Sequence, residues 1–216
     1  KFSEISLPMG QEIAVTMPQL ARAFAAIANG GLLVEPHLVD HVKNYDGDVL
    51  YQYEPGNSKR IMSEQTSATM RELCYGVVEH GTGKRAAIPE YRAGGKTGTA
   101  QVALPKELGR GYYTDRHTAV FAGFAPIADP RLVCVIVVCN PQSDNYYGGF
   151  VCGPVFKAVV RESLIRMECP EDPMPPGTYE EVKDTEDADV LVAQTAPAVP
   201  GAGSDNPLED IGEKTE

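Results

Sequence analysis

Ala93-Gly94-Gly95-Lys96-Thr97-Gly98-Thr99-Ala100-Gln101-Val102 is the stretch on which the reading of this chain turns. A lysine, two hydroxyls and three glycines fall between Gly94 and Thr99, and Ala100, Val102 and Ala103 continue as an apolar, strand-like run. Polar chemistry at the start of a strand is unusual for a purely structural element. One reading is a phosphate loop, because Gly95-Lys96-Thr97 ends like a Walker A motif. That motif needs a glycine six residues before the lysine; the chain has Glu90 there, which would also repel phosphate. A second reading is a glycine-rich turn entering a strand, with a solvated lysine.

A third reading is the Lys-Thr-Gly strand of the serine acyl transferases that react with penicillin, whose signature also holds S-x-x-K and S-D-N. Side chains alternate along a strand, so Lys96 and Gly98 face one way and Thr97 and Thr99 the other. Under this reading Lys96 is a fixed cation for a substrate carboxylate and helps move protons. Thr97 and Thr99 offer hydroxyls to the same carboxylate. Gly98 lets another backbone lie close along the strand, so a peptide substrate pairs as an added strand. A backbone N–H near Thr99 faces the developing oxyanion. The candidate catalytic residues are Lys96 and Thr99, and the candidate substrate-binding set is Lys96, Thr97, Gly98 and Thr99.

The 216 residues allow one or two domains. A hydrophobic content of 43% is ordinary for a globular core, and the net charge of −11 is unevenly spread. Residues 1–169 carry 17 acidic and 17 basic side chains, whereas residues 170–216 carry 13 and 2. The acidity belongs to the tail, and no clustered basic surface marks a nucleic-acid partner. Five cysteines, none in C-x-x-C spacing, indicate neither a disulfide framework nor a zinc site. They read as core thiols. The four histidines are scattered; His37 and His41 lie in extended chain and read as non-ligands. No metal or cofactor is implied. No apolar stretch approaches the ~18 residues of a membrane span, and no signal peptide precedes Lys1-Phe2-Ser3, a start that fits a processed product or an excised piece.

Along the chain, Thr16 as N-cap and Pro18 in the first turn open a helix, with Leu20, Phe24 and Ile27 on its apolar side. Asn29-Gly30-Gly31 closes it. Leu32–Val42 and Val49–Tyr53 read as a small hairpin across Asn44–Asp48. Ser63 opens a second helix with Met70, Leu73, Val77 and Val78 as its stripe. Gly81-Thr82-Gly83 reads as a plain C-cap, against the alternative of a tight turn beside the site. Thr118–Ala125 and Leu132–Cys139 are strands of a sheet buried on both faces. Ser143-Asp144-Asn145 is a literal S-D-N, but turn chemistry accounts for it. Val151–Met167 is a last helix with Val155, Val159 and Leu164 inward. The expected fold is α/β of the α+β kind: an antiparallel sheet packed with helices, in residues 1–168. Residues 169–216 read as an acidic, proline-rich and disordered tail, with a weak strand or helix around Tyr179–Val192.

Beyond Lys-Thr-Gly, the chain resembles the C-terminal portion of a penicillin-binding protein transpeptidase domain, of the class B type that builds septal and spore peptidoglycan. Met9-Gly10-Gln11, Thr16–Ala21 and Ala28–Gly31 are similar to the family's helix after its second motif. Val77–Gly83 is similar to the segment before the third motif, and Ala93–Gln101 to the third motif itself. Phe121–Pro126 with Asp129-Pro130-Arg131 resembles the hairpin that follows, and Tyr147-Gly148-Gly149 with Pro154-Val155-Phe156 the last helix. Together these cover most of residues 6–165, in the family's order.

The resemblance implies the penicillin-binding/β-lactamase-like transpeptidase fold and a D,D-transpeptidase. In such an enzyme a lysine-activated serine attacks the D-Ala-D-Ala bond of a stem peptide, and an amine of a neighbouring strand takes the acyl group. Penicillins mimic the dipeptide. The implied partners are stem peptides, β-lactams, the missing N-terminal half of the domain and cell-wall synthesis proteins. The implied location is the extracytoplasmic face of the bacterial cytoplasmic membrane, with the anchor outside this chain. No serine here has a lysine at +3, and Ser143-Asp144-Asn145 follows Lys-Thr-Gly where the family's second motif precedes it. The expectation is therefore the second half of a longer protein, inactive alone. The alternatives are an inactive homologue or β-lactam sensor and, less in keeping with Glu90, a nucleotide-binding protein.

Overall fold

The computed structural model describes residue 10 and residues 13–56, 58–109 and 111–175. The segment Tyr179–Val192 and the rest of the expected tail beyond residue 175 lie outside the described residues, as do Met9 and Gln11. Helix α1 is Met17–Ala28. Its start is a capping box: the Gln19 N–H donates to Thr16 Oγ1, and the Thr16 N–H donates to Gln19 Oε1 at 2.8 Å. Its end is more specific than a glycine pair alone. The Asn29 amide bonds both the N–H and the C=O of Leu32, each at 2.9 Å. Gly31 has φ +98°, and a Cβ there would collide with the Met62 backbone. The turn thus brings β1 (Leu32–Leu33) onto β4 (Lys59–Arg60). Between them the chain makes the expected hairpin, β2 (His41–Lys43) with β3 (Val49–Gln52). The expected long strand Leu32–Val42 is instead two short pieces in different ladders.

Helix α2, Glu64–Glu79, is capped by Ser63, whose hydroxyl accepts the Thr66 N–H at 3.0 Å. Its inward face differs from the expected stripe. Ser67, Cys74, Tyr75 and Val78 are buried, while Leu73 is 61% exposed. The Ser67 hydroxyl, fully buried, donates to Ile27 O at 2.6 Å and docks α2 on α1. A buried hydroxyl is stable only with such a partner, so Ser67 helps set the rotation of α2.

The central sheet is β5 (Gly94–Ala103), β6 (Tyr112–Ala125) and β7 (Leu132–Cys139), antiparallel and in that order. Gly95 pairs with Gly123, Thr97 with Phe121 and Thr99 with Ala119, so these residues share one face. Gly94, Lys96 and Gly98 pair with Phe124, Ala122 and Val120 on the other. Helix α3 (Gly148–Val151) and helix α4 (Gly153–Arg166) cover the first face, where Phe121 and Phe156 meet edge to face at 4.7 Å between centroids. Helix α2, with α1 beside it, covers the second. The expected single helix Val151–Met167 is broken at Cys152. Its inward residues are Phe156, Val160 and Leu164, whereas Val155 and Val159 are 44% and 47% exposed. Leu164 faces inward as expected, and spacing i, i+4 served Val155 with Val159 as well as Phe156 with Val160; Phe156 decides, because its ring fits against Phe121.

Packing runs past residue 168. Cys169 and Met174 join the core, and the Tyr91 O–H donates to Cys169 O at 3.3 Å. The Arg92 side chain donates to the Asp172 carboxylate at 2.8–2.9 Å, which also accepts the Ala128 N–H. Of the five cysteines, Cys74, Cys152 and Cys169 are buried as expected of core thiols, Cys134 is half-buried and Cys139 exposed; all are free.

Candidate active site

The glycines ahead of Lys96 answer to packing. A Cβ on Gly94 would sit 2.8 Å from Ile127 Cδ1 and 3.1 Å from the Tyr75 nitrogen. One on Gly95 would sit 2.6 Å from Phe121 Cζ and 2.7 Å from Ala122 O. These two residues let α2 and the Phe121 ring close on β5 from opposite faces. Gly98 differs: its nearest neighbour would be Val120 Cβ at 3.6 Å, an ordinary contact. Among the described residues, nothing requires glycine at 98. Among the described residues, the edge of β5 away from β6 has no partner strand.

Lys96 is exposed, yet enough protein surrounds its ammonium that desolvation lowers its pKa from the ordinary lysine value; the nearby Cys74 acts weakly the other way. Its Nζ donates to Thr97 O at 2.9 Å and lies 3.4 Å from Thr97 Oγ1. The Thr97 hydroxyl lies 2.7 Å from that of Thr82. Thr99 Oγ1 accepts the Gly148 N–H at 3.1 Å. Thr97 and Thr99 therefore share a face, as alternation requires, and each hydroxyl is held by a neighbour from another element.

Those neighbours escaped the sequence reading. Gly81-Thr82-Gly83 does end α2, with the N–H groups of Gly81 and Gly83 donating to Val77 O at 3.1 and 2.9 Å. It also presents Thr82 to the strand, so the plain C-cap reading is incomplete. Gly148 and Gly149 have no room for a side chain: a Cβ on Gly148 would collide with Val120 O, and one on Gly149 with Thr82 O. The signal available in the sequence was the glycine pair itself, read there only as part of the segment that resembles the family's last helix. Beside it, Tyr147, Tyr146 and His117 stack in series, with ring centroids 4.8 and 3.9 Å apart.

The competing local readings fare differently. Residues 94–101 are regular paired strand, with the register shifting only between Gln101 and Ala103, not a loop feeding a helix, and Glu90 is bound by Arg161, which lowers its pKa. A phosphate loop is excluded on geometry. In the S-D-N triplet the Asn145 N–H donates to Ser143 Oγ at 3.3 Å, a local turn bond.

A family model for the penicillin-binding protein transpeptidase domain matches residues 1–161. The chain belongs to that family. It is 36% identical over 156 residues to stage V sporulation protein D of Bacillus subtilis, covering 72% of this chain and 24% of that protein. It is 34% identical to the probable peptidoglycan D,D-transpeptidase PenA of Neisseria flavescens, over 76% of this chain and 38% of that one. Among solved structures it superposes on penicillin-binding protein 3 of Mycobacterium tuberculosis complexed with ampicillin, with a TM-score of 0.70 and 31% identity, covering 80% of this chain and 39% of that one. The chain thus spans about a quarter to two fifths of the length of these relatives. The expected fold, an antiparallel sheet packed with helices and representing part of a transpeptidase domain, is what these superpositions show. Among the described residues no helix is long and apolar enough to cross a membrane.

Proposed function

We propose that this chain supplies the Lys-Thr-Gly strand of a serine-type peptidoglycan D,D-transpeptidase. The observation that carries the reading is Lys96, Thr97 and Thr99 on an open-edged strand in a member of the transpeptidase family. The open edge and the bare Gly98 suit a stem peptide lying alongside β5 as an added strand. The Lys96 ammonium and the Thr97 and Thr99 hydroxyls then hold the terminal carboxylate. A serine from outside this chain, activated by its own lysine, attacks the D-Ala-D-Ala carbonyl. The terminal D-alanine leaves, and an amine of a second strand takes the acyl group. Oxyanion donors of the kind found near such strands are worth about 3 kcal/mol each. β-Lactams enter by the same route: the serine opens the lactam ring, whose nitrogen stays tethered to the acyl group, and the serine remains acylated. The location that fits this chemistry is the extracytoplasmic face of the membrane, where peptidoglycan is crosslinked.

A second reading, an inactive homologue or β-lactam sensor, is favoured by one observation: no serine in this chain has a lysine at +3. A fluorescent penicillin separates the two. The complete gene product is expected to label on a serine outside residues 1–216 and to turn over a stem-peptide thioester, and this chain alone is expected not to label. Labelling of this chain on Ser143 would overturn the placement of the nucleophile. No labelling of the complete protein would overturn the enzyme reading.

A further inference from the structure

Thr97 Oγ1 has one proton and two lone pairs to distribute. Lys96 Nζ, which can only donate, lies 3.4 Å away, and the Thr82 hydroxyl lies 2.7 Å away and could serve in either sense. If Thr97 donates to Thr82, its only proton is spent inside the protein and it has nothing to offer an anion. If Thr82 donates to Thr97, both lone pairs face donors and the Thr97 proton must point elsewhere. Thr99 follows the second pattern in fixed form. Its Oγ1 accepts the Gly148 N–H, a donor that cannot reverse, so its proton is free. A bound carboxylate, which only accepts, selects the arrangement in which both threonines donate outward.

The turn that carries Thr82 is also held. Gly149 packs directly on the Thr82 carbonyl, and Gly81 and Gly83 are tied to Val77 O. Thr82 is thus pressed towards β5 by a backbone that cannot be replaced by a larger residue.

We propose that Thr82 is a positioning residue for substrate binding: its hydroxyl donates to Thr97 Oγ1 and so turns the Thr97 proton towards the carboxylate of a stem peptide or β-lactam. This rests on the transpeptidase reading above.

The test uses the complete protein and saturation kinetics with a fluorescent penicillin, which separate the half-saturating concentration from the limiting acylation rate. Thr82→Val, which keeps the shape and removes the hydroxyl, should raise the half-saturating concentration roughly tenfold, the size of one hydrogen bond to a charged group. The limiting rate should change by less than about threefold, because the lost contact is made equally before and in the transition state. Thr82→Ser should recover most of the affinity. Thr82→Ala, which can only create space, gives the same reading should the valine variant fold badly. In a Thr97→Val background, Thr82→Val should add nothing, since Thr82 acts through Thr97. Wild-type affinity in Thr82→Val and Thr82→Ala, or additive losses with Thr97→Val, would overturn the inference while leaving the transpeptidase reading intact. Failure of the unsubstituted protein to label would overturn both.

Discussion

Gly149→Ala should be far more damaging than Gly98→Ala, although both add one methyl group to a glycine beside the same threonines. At Gly149 the new Cβ would land against the Thr82 carbonyl oxygen and 3.2 Å from Thr97 Cγ2. Backbone cannot rotate out of the way as a side-chain tip can. The turn and α3 would have to part by more than ~1 Å to reach an ordinary C···O separation of roughly 3.3 Å. Overpacking of this kind costs about 1–3 kcal/mol. The same movement stretches the 2.7 Å Thr82–Thr97 contact out of hydrogen-bonding range, which adds about 1 kcal/mol. A total of about 2–4 kcal/mol corresponds to a melting temperature roughly 5–15 °C lower at the usual slope for a domain of this size. At Gly98 the added Cβ would meet only Val120 Cβ at 3.6 Å, and the melting temperature should stay within about 2 °C of wild type. Thermal unfolding of the complete protein followed by circular dichroism measures both. Penicillin labelling adds a second contrast: Gly98→Ala should fold yet label more slowly, since its methyl occupies the path of the incoming strand. Equal melting temperatures for the two variants would refute the packing of Gly149 on Thr82.

Two further substitutions test the electrostatics. Lys96→Met should abolish rapid penicillin labelling yet melt no lower than wild type, because desolvation in the folded state disfavours the ammonium. The folded pKa lies below the unfolded value of about 10.4, so wild-type stability should rise with pH towards that value and the variant should lack the rise; a variant less stable than wild type at neutral pH would contradict this. Glu90 has the opposite sign: the hydrogen bond from Arg161 lowers its folded pKa. Its contribution is present above the unfolded value of about 4.3 and is lost as pH falls through the lower folded value. Melting temperatures of wild type and Glu90→Gln should therefore differ most near neutral pH and converge below about pH 4.

Much of the fold was legible because it rests on local signals. Thr16 with Gln19, Ser63 and the Asn29-Gly30-Gly31 stop are caps, and a cap is decided by residues three or four apart. Leu132–Cys139 and the apolar half of β6, Thr118–Ala125, declared themselves by apolar content, whereas the polar first half of β6, from Tyr112, did not. The inward faces of α2 and α4 did not. Each helix offers two apolar stripes, and the choice lies in partners distant in sequence: Ile27 O for Ser67, and the Phe121 ring for Phe156. Hydrophobic periodicity marks a face only to within the rotation that such contacts impose.

The site divides in the same way. Alternation along β5 placed Lys96 apart from Thr97 and Thr99 from the sequence alone, because a period of two needs no tertiary information. What holds the two hydroxyls lies 15 residues upstream for Thr97 and 49 downstream for Thr99. The glycines do more than one task, and spacing cannot sort them. Gly94 and Gly95 make room for α2 and Phe121, Gly148 and Gly149 make room for β6 and the Thr82 turn, and Gly98 makes room for nothing among the described residues. That contrast is itself informative. A glycine whose absent side chain is explained by a neighbour serves the fold. A glycine in the middle of a strand costs stability, so one that no neighbour requires points to something that approaches from outside, and at Gly98 that approach runs along the open edge of β5.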